Sequence, residues 1–141
     1  MTMPEKIPTA FLAPCGIDCA ACAVRLRPKK ACPGCLVAGE GKPNHCRTCS
    51  IKACAQERGF KRCYGCADFP CAGIKRIDRR YLTRYGVGLI ENGVAARTKG
   101  LRAFMAAERA RWACPACGGV VSQHTGICSE CAGKRLGEEK R

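Results

Sequence analysis

The spacing of the cysteines constrains this chain more than any other feature. Fifteen of the 141 residues are cysteines, and most of them form C-x-x-C pairs at repeated spacings. Cysteine and alanine together supply more than half of the 47% of residues counted as hydrophobic, so large apolar side chains are few. A chain with so little apolar surface needs cross-links to hold a fold. The cysteines are the residues that can supply them.

The cysteines are interpreted as metal ligands rather than as disulfide partners. Their number is odd, and the one short apolar run near the start, residues 10–13, is shorter than a signal-peptide core. No segment approaches the roughly 20 apolar residues of a membrane span. In a reducing compartment, C-x-x-C pairs are typical of metal sites. We therefore expect a cytoplasmic protein without a membrane segment.

One cysteine template occurs twice. In each copy a C-x-x-C pair is followed, after ten residues, by a second pair: Cys32, Cys35, Cys46 and Cys49, then Cys114, Cys117, Cys128 and Cys131. Pairs on tight turns aim four sulfurs at one ion, as in zinc ribbons and knuckles. The C-terminal copy is expected to form a closed zinc ribbon. The first copy is expected to bind zinc alone or to share ligands with neighbouring cysteines.

A second template overlaps the first, because Cys46-x2-Cys49-x4-Cys54 recurs as Cys63-x2-Cys66-x4-Cys71. The last cysteine of each copy is expected within a helix or at its start. Ser50 is the predicted cap of a helix that runs to about Arg58, and Asp68 is the predicted cap of a helix that begins near Pro70. A thiolate near a helix N-terminus has a lowered pKa, which favours metal ligation.

The remaining three cysteines, Cys15, Cys19 and Cys22, have the spacing of the cluster-binding loop of radical S-adenosylmethionine enzymes. Those enzymes need a barrel of roughly 200 residues, so radical chemistry is not expected. The triplet is expected to join distant cysteines in a zinc site, with an iron–sulfur cluster as the alternative. All fifteen cysteines are thus candidate ligands, for three or four Zn²⁺ ions. His45, next to Cys46, is left open as a further ligand, whereas His124 is interpreted as a polar loop residue.

Helical periodicity is confined to the second half of the chain. Apolar residues from Ile74 to Tyr85 predict an amphipathic helix that ends at Gly86, and a second helix is predicted from near Thr98 to Trp112, with a short one between them. Trp112 is expected to pack this last helix onto the ribbon. The opposite face of the first helix is basic and carries Lys75, Arg76, Arg79, Arg80 and Arg84.

These elements predict a small metal-stabilised protein, irregular and α-helical, with zinc knuckles, two or three helices and a C-terminal zinc ribbon. Residues 1–86 are expected to form a cysteine-rich metal-binding module and residues 87–112 a helical connector. Residues 113–133 are expected to form the ribbon and residues 134–141 a charged tail.

The net charge of +14 overstates the attraction of the folded protein to polyanions. Ligated cysteines are thiolates, and four bound zinc ions would leave a net charge of about +7. The basic helix face is therefore interpreted first as a solvated face, or as compensation for the thiolates. Binding to a nucleic acid remains a candidate role.

Several motifs together resemble one family. The stretch Cys15-Gly16-Ile17-Asp18-Cys19-Ala20-Ala21-Cys22, followed by Gly34-Cys35, Ile51-Lys52-Ala53-Cys54, Cys63-Tyr64-Gly65-Cys66 and Phe69-Pro70-Cys71, is similar to the prokaryotic family called domain of unknown function 3795. The stretch from Arg111 to Gly118 resembles a ribbon appended to many members. The resemblance implies a small cytosolic, zinc-binding protein and carries no reaction with it.

Two functional hypotheses follow. The first is a zinc-binding protein without catalytic activity that interacts with a protein or a nucleic acid, because the sequence offers no acid–base pair and no phosphate-binding loop. The alternative is an iron–sulfur or thiol-based protein that serves redox chemistry or metal handling. The sequence identifies no small-molecule substrate and leaves the oligomeric state open.

Overall fold

The computed structural model describes residues 2–27, 29, 31–36 and 49–131. This part of the chain contains four α-helices, namely α1 (Ser50–Glu57), α2 (Ala72–Tyr85), α3 (Leu89–Lys99) and α4 (Leu101–Trp112). Short 3₁₀ helices occur at Thr9–Phe11, Cys19–Ala21 and Cys63–Gly65. The β structure of these residues is limited to isolated bridges. No helix in the described ranges is long and apolar enough to cross a membrane.

The predicted fold class is confirmed as a small, irregular and α-helical protein with a C-terminal cysteine cluster. The described helices number four instead of two or three. Gly100 separates α3 from α4 close to the predicted boundary near Thr98, because its φ of 93° takes the backbone out of the helical path. Residues 89–112 therefore form two helices.

The end of α2 is as predicted, but the predicted caps at the helix starts are wrong. Gly86 closes α2 with a φ of 68° and donates its N–H to the carbonyl of Leu82. Ser50 is the first residue of α1 instead of its cap. Asp68 is not the cap of α2, because its carboxylate accepts a hydrogen bond from Arg58 at 2.7 Å.

Cysteines occupy both of these N-cap positions. Cys49 precedes α1 and Cys71 precedes α2, and neither makes a side-chain capping bond. Cys54 lies within α1. The expectation that the last cysteine of each repeat lies in a helix or at its start is therefore confirmed.

The hydrophobic core joins the N-terminal segment, α4 and the ribbon. Trp112 is 1% exposed and donates its indole N–H to Glu108 at 3.3 Å, as expected for a core residue. The ribbon residues Val120 and Val121 share this core with Met3 and other N-terminal side chains. Backbone bonds strengthen the contact, since Met3 donates to Gly118 and Val121 donates to Trp112. The division at residues 86, 112 and 133 stays a prediction, and the tail lies outside the described residues.

The loop that carries Cys15, Cys19 and Cys22 is held from two sides. Asp18 is fully buried, and its carboxylate accepts a hydrogen bond from the N–H of Ala20 at 2.9 Å. Burial, together with the nearby carboxylate of Glu108, raises the pKa of Asp18 to about 7. On the other side, the amide of Asn92 in α3 donates to the carbonyl of Gly16 at 2.9 Å.

Gly16 is the position in this loop where adding a side chain should destabilise the fold most. Its φ is 102°, and a Cβ atom there would lie 2.7 Å from the backbone oxygen of Leu89. Gly16→Ala should therefore suffer both backbone strain and a clash with α3 that cannot be relieved by a rotamer change. Gly59→Ala is the matched control, because Gly59 has a φ of 79° and open space around it. We expect Gly16→Ala to lose about 2 kcal/mol more unfolding free energy than Gly59→Ala, measured by denaturant titration at fixed free zinc. Equal losses would contradict this packing.

Candidate metal centres

The structure sorts the described cysteines into three groups, and none of them is disulfide-bonded. The ribbon group contains Cys114, Cys117, Cys128 and Cys131. The central group lines a large cavity and contains Cys15, Cys19, Cys22, Cys32, Cys35 and Cys49. The third group lines a smaller cavity and contains Cys54, Cys63, Cys66 and Cys71. Cys46 and His45 lie outside the described residues.

The ribbon group has the geometry of a site for a single ion. Its four Sγ atoms all lie within 4.8 Å of one another. The Sγ atoms of Cys114 and Cys131 are 3.8 Å apart, and those of Cys117 and Cys128 are 3.5 Å apart. Two sulfurs bound tetrahedrally to zinc at 2.3 Å are separated by about 3.8 Å. The four thiols can therefore surround one tetrahedral ion.

Backbone amides support the ribbon thiols. Gly119 donates its N–H to Cys117 Sγ at 3.4 Å, and Glu130 donates to Cys128 Sγ at 3.3 Å. Such bonds orient a sulfur and stabilise its thiolate form, which is the form that binds metal. Gly119 also allows a close approach, because a Cβ atom there would lie 2.8 Å from Cys128 Sγ.

His124 lies between the two ribbon pairs in sequence, but its side chain contacts the N-terminal half of the protein. Its Nδ1 accepts a hydrogen bond from the N–H of Ala23 at 3.1 Å. In the neutral ring Nε2 then carries the proton, and it donates to the hydroxyl of Tyr81 at 2.8 Å. Burial lowers the pKa of His124 and so favours this neutral form. His124 thus lines the central cavity and attaches the ribbon to α2, a role that no local sequence signal indicates.

The central cavity has a volume of about 470 Å³. Cys35 influences the three thiols of the N-terminal loop, Cys15, Cys19 and Cys22. A hydrogen bond with Cys35, together with burial, raises the pKa of Cys19 well above its usual range. Burial, with a smaller contribution from Cys35, also raises the pKa values of Cys15 and Cys22. Crowded thiols of this kind need a bound cation before several of them can ionise together.

The rest of the cavity wall is rich in positive charge and aromatic rings. Its cationic side chains are Arg25, Lys52, Arg80 and Arg84. Tyr81, Tyr85 and His124 form an edge-to-face aromatic group beside them. Within the described part of the chain, no carboxylate lines this cavity. The site therefore suits a group with a negative overall charge once its thiols are ionised.

The third group surrounds a cavity of about 90 Å³ between α1 and the start of α2. Burial, followed by the charges of Cys71 and Cys54, raises the pKa of Cys63 to about 11. Arg58 donates to Cys66 Sγ at 2.9 Å and also binds Asp68. The guanidinium of Arg58 thereby joins Cys66 to Asp68 at the edge of this group.

The structure shows which cavity each described member of the sequence templates lines. The first template predicts that Cys32, Cys35, Cys46 and Cys49 bind zinc alone or share ligands with neighbouring cysteines, and the structure places its three described members beside Cys15, Cys19 and Cys22. Cys54 joins Cys63, Cys66 and Cys71 instead. The start of α1 explains the separation, because five residues along a helix give a rotation of about 140° and a rise of about 7.5 Å. Cys49 and Cys54 are thereby directed to different cavities.

Comparison with known proteins agrees with the sequence motifs. Residues 11–76 match the family described as "Protein of unknown function (DUF3795)". The matched region carries the central and third cysteine groups and ends before α3, α4 and the ribbon. No match was found among curated proteins or among solved structures. The family match confirms the DUF3795 resemblance over residues 11–76, and the four-cysteine cluster at residues 114–131 is consistent with an appended ribbon.

Proposed function

We propose that the protein is a zinc-binding protein without catalytic activity, which holds one structural Zn²⁺ in its ribbon and interacts with a protein or a nucleic acid. The convergence of the four ribbon thiols carries the zinc part of this proposal. Four thiolates complete a tetrahedral shell and leave no position for water or substrate, which is the arrangement of structural zinc sites.

A zinc ion in the ribbon would cross-link the core as well as the ribbon itself. The ribbon contributes Val120 and Val121, which are 1% and 0% exposed, to the core that contains Met3 and Trp112. Metal binding and folding are one equilibrium where the apolar core is this small. The ion would therefore stabilise the N-terminal segment through its contacts with the ribbon.

The basic face of α2 supports the interaction part of the proposal. Its five cations are all exposed, namely Lys75, Arg76, Arg79, Arg80 and Arg84. Asp78 is the one acidic residue of α2, and its carboxylate accepts a hydrogen bond from the N–H of Ile90 in α3 at 3.0 Å. Exposed cations along one helix are suited to a phosphate backbone or to an acidic protein surface.

Substitution of a ribbon cysteine tests the structural zinc site. Cys114→Ser and Cys128→Ser should each lower the zinc content by about one ion per chain and lower the melting temperature, because three thiolates hold the ion poorly. Ile127→Ser is the control, since Ile127 lies in the ribbon next to Cys128, is 41% exposed and offers no metal ligand. Zinc is counted by elemental analysis and native mass spectrometry. A zinc content that is unchanged in both ribbon variants would contradict the assignment.

Charge reversal on α2 tests the interaction surface. The double variant Arg76→Glu/Arg79→Glu should weaken retention on mixed nucleic acid at low salt by roughly tenfold or more, because it reverses two adjacent charges. Lys99→Glu/Arg102→Glu, at two exposed positions where α3 ends and α4 begins, is the matched control for the same change of net charge. Fluorescence anisotropy over a salt series gives the affinity and its salt dependence. If the unmodified protein is not retained at low salt, the nucleic-acid form of the proposal is wrong and an acidic protein partner remains.

A further inference from the structure

The central cavity is larger than a single metal ion requires. A zinc ion lies in direct contact with its ligands at about 2.3 Å, so its four sulfurs leave almost no free volume. The cavity measures about 470 Å³, which falls in the range of sites that hold a bound molecular group. Six thiols line it, more than one tetrahedral ion can use.

The spacing of these thiols also differs from that of the ribbon. Among the described residues, the ribbon is where three or more ligand atoms lie within 4.8 Å of one another. No three of the described thiols in the central cavity lie that close together, although Cys19 and Cys35 are hydrogen-bonded to each other. An iron–sulfur cluster accepts such a separation, because its inorganic sulfides join the metal ions and each cysteine binds a different iron.

Four of the six thiols form a natural ligand set. Cys15, Cys19 and Cys22 come from one loop that Asp18 and Asn92 hold in place. Cys35 lines the same cavity and forms a hydrogen bond with Cys19 of this loop. We propose that the central cavity binds an iron–sulfur cluster whose ligands are Cys15, Cys19, Cys22 and Cys35.

The charges around the cavity agree with this occupant. A cluster with four thiolate ligands carries a net negative charge, and the thiolates are soft ligands that favour iron–sulfur clusters and zinc over hard cations. The cavity wall supplies cationic side chains, including Arg80 and Arg84 on α2, and no carboxylate in the described ranges.

The cluster site is independent of the structural zinc site in the ribbon, because the two sites share no cysteine.

Reconstitution tests whether the cluster binds. The full chain is purified anaerobically and incubated with ferric iron, sulfide and excess dithiothreitol. We expect a broad absorption band near about 400 nm that fades on reduction with dithionite, together with about four irons and about four sulfides per chain.

Variants locate the bound cluster. Cys19→Ser and Cys35→Ser should each lower the iron and sulfide content at least about fourfold, whereas Cys54→Ser and Cys71→Ser should retain both. Zinc content and circular dichroism of the same samples show whether a variant is folded and whether the ribbon ion is present. Should Cys19→Ser fail to fold, the partly exposed Cys22→Ser serves as the second variant for the same loss.

Three outcomes would overturn the proposal. The first is a colourless chain that takes up no iron or sulfide under these conditions. The second is iron and sulfide that persist in the folded Cys19→Ser and Cys35→Ser variants. The third is an equal loss in the Cys54→Ser and Cys71→Ser variants. The zinc content of the Cys114→Ser variant tests the ribbon site alone. Failure of the cluster proposal can therefore be distinguished from failure of the ribbon-zinc proposal.

Discussion

The contact between the ribbon and the N-terminal cysteine loop organises the rest of this structure. Gln123 donates its backbone N–H to Ala21 at 2.9 Å and its side-chain amide to the carbonyl of Asp18 at 2.7 Å. The next residue, His124, accepts from Ala23 and donates to Tyr81. Two consecutive ribbon residues thus hold both the loop that bears Cys19 and Cys22 and the helix that forms the opposite wall of the cavity. A metal ion that stabilises the ribbon would also stabilise the shape of the central cavity.

Part of the positive charge of the chain lies beside the thiols of the central cavity. Arg25, Lys52, Arg80 and Arg84 line a cavity that also contains six thiols. When thiols ionise to bind metal, nearby cations lower the cost of collecting their negative charges. The cations of α2 that lie away from the cavity, such as Arg76 and Arg79, remain exposed for interaction with a partner. One basic helix can therefore serve both the cavity and the surface.

Local sequence signals predicted the features that depend on local geometry. The glycine at position 86 ends α2, cysteines lie within or at the start of α1 and α2, and the last four cysteines converge as their spacing predicts. The Ser50 assignment was wrong by one residue, and the Asp68 assignment was wrong because α2 begins at Ala72 and Asp68 binds Arg58 instead. Helix-capping propensity alone does not show whether a carboxylate caps a helix or binds a nearby arginine.

The grouping of the other cysteines could not be predicted, because it depends on contacts between distant segments. The backbone N–H of Cys63 donates to the carbonyl of Pro14, which places the third group beside the loop of the central group. The placement of His124 depends on Ala23, which is 101 residues away in sequence. Repeated spacing indicates which cysteines share a local turn, but the packing of α1 and the N-terminal loop decides which turns share a cavity.

X-ray absorption at the zinc and iron edges of the anaerobically purified protein tests the account most directly, because it reports ligand type and metal–metal distance at each metal. The account predicts a zinc first shell of about four sulfurs at about 2.3 Å with no zinc neighbour, and an iron spectrum with sulfur ligands and a short iron–iron distance. A zinc shell dominated by nitrogen or oxygen, or iron without an iron neighbour, would contradict it.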